Sequence, residues 1–225
     1  MSHAIAVIPG DGVGPEVVEA ALAVLAATGV ELDVTLHPAG DTCLAETGEA
    51  LPAATLAAAQ AAEAVFFGAV GASAAEVILP LRRALATHVN LRPARAYAGV
   101  PCLHPGTNLV VVRENTECLY VGMEHTLAPG VTTATRLVTE AASARIARYA
   151  FEFAAANGYE KVTAIHKANV LKTTDGLFLR CAREGAEAFP NVAYEEQLVD
   201  SAATLLVLHP ARLPVLLTPN LQGEL

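Results

Sequence analysis

Positive charge is scarce in this chain. Its 225 residues carry 14 Lys and Arg against 23 Asp and Glu, a formal net charge of −9. A surface of that sign repels nucleic acid and anionic membrane and discourages small anions at long range. Any anionic ligand must therefore be held by a local group of arginines. Charge of either sign makes up only 16% of the chain and hydrophobic residues 53%, the reverse of a disordered composition. Long apolar runs are missing as well. None approaches 18 residues without Gly, Pro or a charge, so no membrane-spanning helix is expected. The opening MSHAIAVIPGDG has neither a basic n-region nor a long apolar h-region, which points to a cytoplasmic protein. Signals for paired cysteines are absent too. Cys43, Cys102, Cys118 and Cys181 fall at irregular spacings with no C-x-x-C, and free thiols in a reducing compartment are the simplest reading. No internal repeat or low-complexity linker occurs.

What is present is an alternation of strand and helix signals. Residues 3–8 form a short apolar run ending at Pro9-Gly10, and 15–28 read as a helix framed by Pro15 and Gly29. A strand at 31–36, a helix at 53–62, a strand at 64–67 and a helix at 76–86 follow. This order predicts an α/β fold with a parallel sheet. The pattern then changes to three strand-like segments, 108–113, 118–124 and 131–138, with a turn at Pro129-Gly130. A long helix over 139–156, strand 161–166, helix 175–188, strand 192–199, helix 200–208 and strand 213–218 complete the reading. The change of pattern puts a domain boundary near 95–100, giving one domain over 1–97 and another over 98–225.

Gly10-Asp11-Gly12-Val13-Gly14-Pro15-Glu16 lies between a strand and a helix. The Rossmann phosphate loop needs a third glycine three residues after the second, and Pro15 stands there instead. A tight strand-to-helix turn accounts for these glycines without a ligand. Arg82, Arg92 and Arg113 are more telling, because arginines are few here and guanidinium forks hold carboxylates in a fixed plane. On the residues alone, three unrelated surface arginines remain an alternative.

IPGDGVGPE (8–16), NLRPAR (90–95), RENTECLYVGMEH (113–125) and HKANVLKTTDGLFLR (166–180) stand in order along nearly the whole chain. Together they resemble the isocitrate/isopropylmalate, or β-decarboxylating, dehydrogenases. RENTE and KANVLK-x-TDGLFL resemble the NAD-dependent isocitrate and homoisocitrate enzymes more than the isopropylmalate enzymes, which usually carry another residue where Asn115 stands. The resemblance implies the fold of that family, with a first parallel α/β domain and a second α/β domain bearing a dimerisation clasp. It implies oxidation of a malate substituted at C3, with NAD taking the hydride, followed by loss of the β-carboxylate with a divalent metal, Mg²⁺ or Mn²⁺, stabilising the enolate. Arg82, Arg92 and Arg113 would grip the β-carboxylate. Tyr120 would protonate the intermediate, Lys167 would assist proton removal from the hydroxyl, and Asn169 would lie near the nicotinamide. The aspartate matching Asp200 binds metal in the neighbouring subunit's site, and the lysine matching Lys167 also crosses over, so a homodimer is implied. From its position alone, Asp200 reads as a helix N-cap.

Two departures bear on activity. The family reads N-L-x-G-D at the metal site with another aspartate one helical turn on; here the sequence is Asn220-Leu221-Gln222-Gly223-Glu224-Leu225. Glu224 replaces the first aspartate, and the second aspartate and the adenine loop lie outside this sequence. The resemblance therefore implies an incomplete first domain and little or no dehydrogenase activity for these 225 residues alone. A non-catalytic relative is the alternative. The second departure is at the positions that read the substrate's C3 group, Glu76, Val77, Ile78 and Leu79. Isocitrate enzymes usually place Ser and Asn there and homoisocitrate enzymes an Arg. Ile78 and Leu79 suit an apolar substituent, as in isopropylmalate, since an unpaired carboxylate against them would be costly.

Overall fold

Short apolar runs separated by Ala-rich helices build three parallel strands at the start of the chain. The computed structural model describes residues 2–225 and separates into two units, Met1–Ala86 and Thr87–Leu225. The first contains β1 (His3–Gly10), α1 (Gly14–Ala27), β2 (Leu32–Leu36), α2 (Asp41–Thr47), α3 (Ala53–Ala61), β3 (Ala64–Ala69) and α4 (Ala74–Ala84). Its sheet runs in the order β2-β1-β3, all parallel. Ile8, Ala39, Ala50, Ala59, Val77 and Leu81 form the core of this unit.

The second unit holds β4 (Val89–Arg95), β5 (Asn108–Glu114), a 3-10 turn at Leu119–Val121, β6 (Glu124–Ala128), β7 (Val131–Ala134), α5 (Glu140–Ala156), β8 (Lys161–His166), α6 (Thr174–Glu187), β9 (Ala193–Leu198), α7 (Val199–Leu208), a second 3-10 turn at Pro210–Arg212, β10 (Val215–Thr218) and a third 3-10 turn at Leu221–Glu224. The order in the main sheet is β4-β5-β10-β8-β9, with β4 alone antiparallel. Side chains alternate between its faces. Val110, Val112, Val215 and Leu217 pack with Ile146, Phe151 and Phe178 of α5 and α6. Leu109, Val111 and Leu216 pack on the other face with Ala202 of α7. Covering on both faces explains why β10 reads as an unbroken apolar run.

Two expectations are corrected by these elements. The division falls between Ala86 and Thr87 rather than at 97, because Val89–Arg95 pairs with β5 and belongs to the second unit's sheet. Pro93 hides that strand from a propensity reading, yet proline is tolerated at a sheet edge, where β4 lies. The strand expected at 118–124 is instead an isolated Cys118–Leu137 bridge, the first 3-10 turn and the start of β6, which pairs with β7 as a two-stranded hairpin.

Candidate functional site

The Gly10–Gly14 loop is occupied by the chain itself. A Cβ on Gly10 would strike the Ala69 carbonyl at the end of β3, and one on Gly14 would strike the Pro9 carbonyl. The Asp11 amide donates to that Ala69 oxygen at 2.6 Å and the Gly14 amide to the Asp11 carbonyl at 2.8 Å. The Asp11 carboxylate accepts the amides of Asp41 at 2.6 Å and Thr42 at 3.0 Å. Asp41 in turn accepts the Ala72 and Ser73 amides at 2.8 and 2.7 Å and the Ser73 hydroxyl at 2.6 Å. These carboxylates fill the starts of α2 and α4, where helix N-termini favour negative charge. The Thr42 and Asp41 amides hold Asp11 below the usual carboxylate range, and the Ser73 hydroxyl and amide do the same for Asp41. The glycines thus serve close backbone packing, and the loop offers no ready phosphate cradle.

Arg113, the penultimate residue of β5, has 1% of its side chain exposed. Its Nε donates to the Asn220 carbonyl at 2.8 Å and to Asn220 Oδ1 at 2.9 Å. Nη2 lies against Glu224 in an ion pair whose angles fall short of a hydrogen bond, and Nη1 is buried with no hydrogen-bond partner. The guanidinium carbon sits 5.4 Å from the centroid of the Tyr120 ring, a cation–π distance. Tyr120 donates its hydroxyl to Glu224 Oε1 at 3.0 Å. Burial, followed by the Glu224 hydrogen bond, raises the Tyr120 phenol above its ordinary value, so it keeps its proton near neutrality. Burial alone would raise the Glu224 carboxyl, but Tyr120 and the Arg113 charge outweigh it and leave a net lowering. Gly223 makes room for this arrangement. A Cβ there would come within 2.5 Å of the Arg113 stem.

On β4, Asn90 stands opposite Arg113 and Arg92 opposite Val111. Arg92 is exposed and donates from Nε to Asn90 Oδ1 at 3.1 Å. Its charge also lowers the Glu224 carboxyl, which places Arg92 within electrostatic reach of the Arg113–Tyr120 cradle. Asn115 is buried, donating to the Thr87 carbonyl at 2.9 Å and accepting from Asn90 at 3.3 Å. Its amide ties β4 to the end of β5. Arg82 lies in the first unit, in the last turn of α4, with Ile78 and Leu79 one turn before it on the same helix.

Lys167 follows β8 and donates from Nζ to Asp200 Oδ1 at 2.8 Å. That bond lowers the Asp200 carboxyl. Asp200 is not an N-cap, contrary to expectation. Leu198 holds the cap position of α7, and Asp200 in its first turn reaches out to Lys167. Asn169 is exposed two residues after Lys167. Sequence reasoning missed Arg136, Asp175 and Gln222, a buried polar group beside these loops. Arg136 carried no signal beyond its charge, and Asp175 was visible only as part of TDGLF.

The two carboxylates expected to bind metal do not by themselves fit one. Glu224 is engaged by Arg113 and Tyr120, and Asp200 by Lys167. Among the described residues, no three His, Cys, Asp or Glu side chains are grouped so as to hold an ion.

Comparison with known proteins agrees with this reading of the motifs. Residues 4–225 match the family described as isocitrate/isopropylmalate dehydrogenase. A 3-isopropylmalate dehydrogenase of Archaeoglobus fulgidus is 49% identical over 221 residues, 98% of this chain and 68% of the relative. An NAD isocitrate dehydrogenase catalytic subunit of Arabidopsis thaliana is 37% identical over 96% of this chain and 59% of the relative. The crystal structure of an isocitrate dehydrogenase from Methylococcus capsulatus superposes with a TM-score of 0.92 at 40% identity, covering 99% of this chain and 68% of that one.

Proposed function

Because the chain belongs to the isocitrate/isopropylmalate dehydrogenase family, we propose that it grips the substrate and handles protons in the NAD-dependent oxidative decarboxylation of a 3-substituted malate whose substituent is apolar, as in 3-isopropylmalate. The family is one of decarboxylating dehydrogenases. The observation that carries the substrate choice is the placement of Ile78 and Leu79 one turn before Arg82 on α4. A carboxylate held by Arg82 leaves its neighbouring substituent against these two side chains, and an unpaired third carboxylate there is costly. The relatives point the same way, since those of Archaeoglobus fulgidus and Methanothermobacter thermautotrophicus are named 3-isopropylmalate dehydrogenases. The expectation of isocitrate or homoisocitrate leaned on RENTE and KANVLK-x-TDGLFL, and the Asn115 amide of the first motif is engaged within the chain. Isocitrate stays as the second reading, on the likeness to the Methylococcus capsulatus structure.

In this reading Arg92 and Arg113 hold the departing carboxylate, and the buried, unpartnered Nη1 of Arg113 is a donor suited to an anion. Tyr120 keeps a proton to deliver to carbon. Lys167, with Asp200, is lent to a second copy and moves the hydroxyl proton there. Asn169 stands near the nicotinamide. NAD is chosen over NADP on the Arabidopsis thaliana relative's name. A requirement for Mg²⁺ or Mn²⁺ is carried from the family. Binding of 3-isopropylmalate, isocitrate, homoisocitrate and tartrate, measured by calorimetry with NAD and Mn²⁺, tests the proposal. Turnover is followed on the chain and on a version extended by a relative's C-terminal third. 3-Isopropylmalate is expected to lead isocitrate by at least about tenfold, the scale set by a few methylenes in an apolar pocket. Preference for isocitrate would overturn the substrate choice.

A further inference from the structure

One guanidinium joins the three loops that carry Tyr120, Lys167 and Glu224. Arg136, at 12% side-chain exposure, forms an ion pair with Oδ1 of Asp175, which is fully buried. Its Nη1 also donates to Thr174 Oγ1 at 3.1 Å, its Nη2 to Gln222 Oε1 at 3.3 Å, and its Nε to Cys118 Sγ at 3.2 Å. Asp175 Oδ2 accepts the Lys167 amide at 2.6 Å and Gln222 Nε2 at 3.4 Å. A buried ion pair is often no more stabilising than apolar residues of the same volume, so its presence here asks for a reason other than stability.

The contacts supply that reason. Cys118 has φ +71°, a backbone region that favours glycine and strains other residues. It is held there by its amide bond to the Leu137 carbonyl at 2.9 Å and by Arg136. Tyr120 stands two residues further on, and its hydroxyl meets Glu224, two residues after Gln222. The Lys167 backbone is fixed from the other side of the same pair. The planar fork of an arginine can reach all of these acceptors at once, whereas a lysine ammonium cannot.

We propose that Arg136, Asp175 and Gln222 are positioning residues, which set where Tyr120 and Lys167 stand without themselves touching substrate. The catalytic consequence rests on the reaction proposed above; the placement does not. Gln222→Met, Arg136→Met and the apolar pair Arg136→Met/Asp175→Leu test it in the full chain labelled with ¹³C-tyrosine and ¹⁵N-lysine. The Lys167 amide and Tyr120 ring signals are expected to shift in all three variants, and amide exchange at Lys167 to quicken by about tenfold or more. Where turnover is measurable, kcat should fall at least about tenfold while KM changes less than about threefold, since a small misplacement slows chemistry more than it weakens carboxylate grip. The apolar pair should recover thermal stability, because it leaves no charge unpaired, without recovering kcat.

Recovery of kcat along with stability would reduce the group to a structural role and overturn the proposal. So would unchanged Tyr120 and Lys167 signals in a folded Gln222→Met, the mildest of the variants. If the parent chain binds none of the malates, the proposed reaction fails, and the spectra still decide the positioning.

Discussion

Glu224 occupies the position most telling about how the Arg113 cradle works. Its carboxylate holds the ion pair with Arg113, the contact proposed for the substrate's departing carboxylate, and accepts the hydrogen bond of the Tyr120 hydroxyl, the proposed proton donor. An anionic substrate therefore has to displace it. Glu224→Gln is expected to tighten binding of 3-isopropylmalate about tenfold, equivalent to roughly 1.4 kcal/mol. The Glu224 side chain is 45% exposed, so solvent screening limits the accompanying loss of ligand-free stability to about 1 kcal/mol. Calorimetry and thermal melting with and without the ligand measure both. Equal affinity in the two proteins would show that the carboxylate does not compete. Tyr120→Phe keeps the ring over Arg113 and removes only the proton donor. Turnover of the extended chain should then fall about a hundredfold or more, with KM little changed; a kcat close to the parent's would remove Tyr120 from the proton step.

At the scale of elements, two carboxylates hold the first unit's helix starts. Asp11 bonds the amides at the start of α2, and Asp41 bonds those at the start of α4. Both carboxyls lie below their unfolded value of about 3.9. The folded state accordingly binds fewer protons in mild acid than the unfolded state. The resulting stability is complete above the unfolded value and is lost as pH falls through the lowered folded values. Asp41→Asn should be less stable than the parent at pH ~7, and the gap should close at an acid pH below the lowered folded value. Urea unfolding at the two pH values checks this, and a gap that persists in acid would mean that packing rather than charge is responsible. The elements visible in the sequence were those whose local pattern agrees with their tertiary setting. KVTAIH (161–166) is β8 to the residue, and the Thr139 side chain caps α5, accepting the Ala142 amide. β4 was not visible, because Pro93 argues against a strand until an edge is known. The Cys118–Val121 turn was misread because LYVG has strand-like residues, and only the contacts of Arg136 and Leu137 bend it away.

For the whole molecule, the β6–β7 hairpin raises the question of assembly. Every residue from Glu124 to Ala128 and from Val131 to Ala134 is exposed, including Leu127 at 68% and Val131 at 50%. A two-stranded ribbon with no cover is at best marginally stable in water. A second copy supplying that cover fits the proposed exchange of Lys167 and Asp200 between subunits. Light scattering should give twice the mass of one chain, and Leu127→Asp combined with Val131→Asp should shift it to a single chain. A monomeric parent would refute the dimer. The net charge of −9 works against such an association, so added salt should strengthen it.

The sequence by itself determined the fold class, the family and the motif residues, because strand and helix periodicity and ordered motifs are local properties of a chain. It also indicated an apolar C3 group through Ile78 and Leu79, against the pull of RENTE and KANVLK-x-TDGLFL. Tertiary structure alone decided what each polar side chain faces. It paired Glu224 with Arg113 and Tyr120, turned Asp200 from a cap into the partner of Lys167, and gathered Arg136, Asp175 and Gln222 from positions 86 residues apart at the extremes. Hydrogen bonds and ion pairs act over a few ångströms whatever the separation along the chain, so only folding determines which of them form.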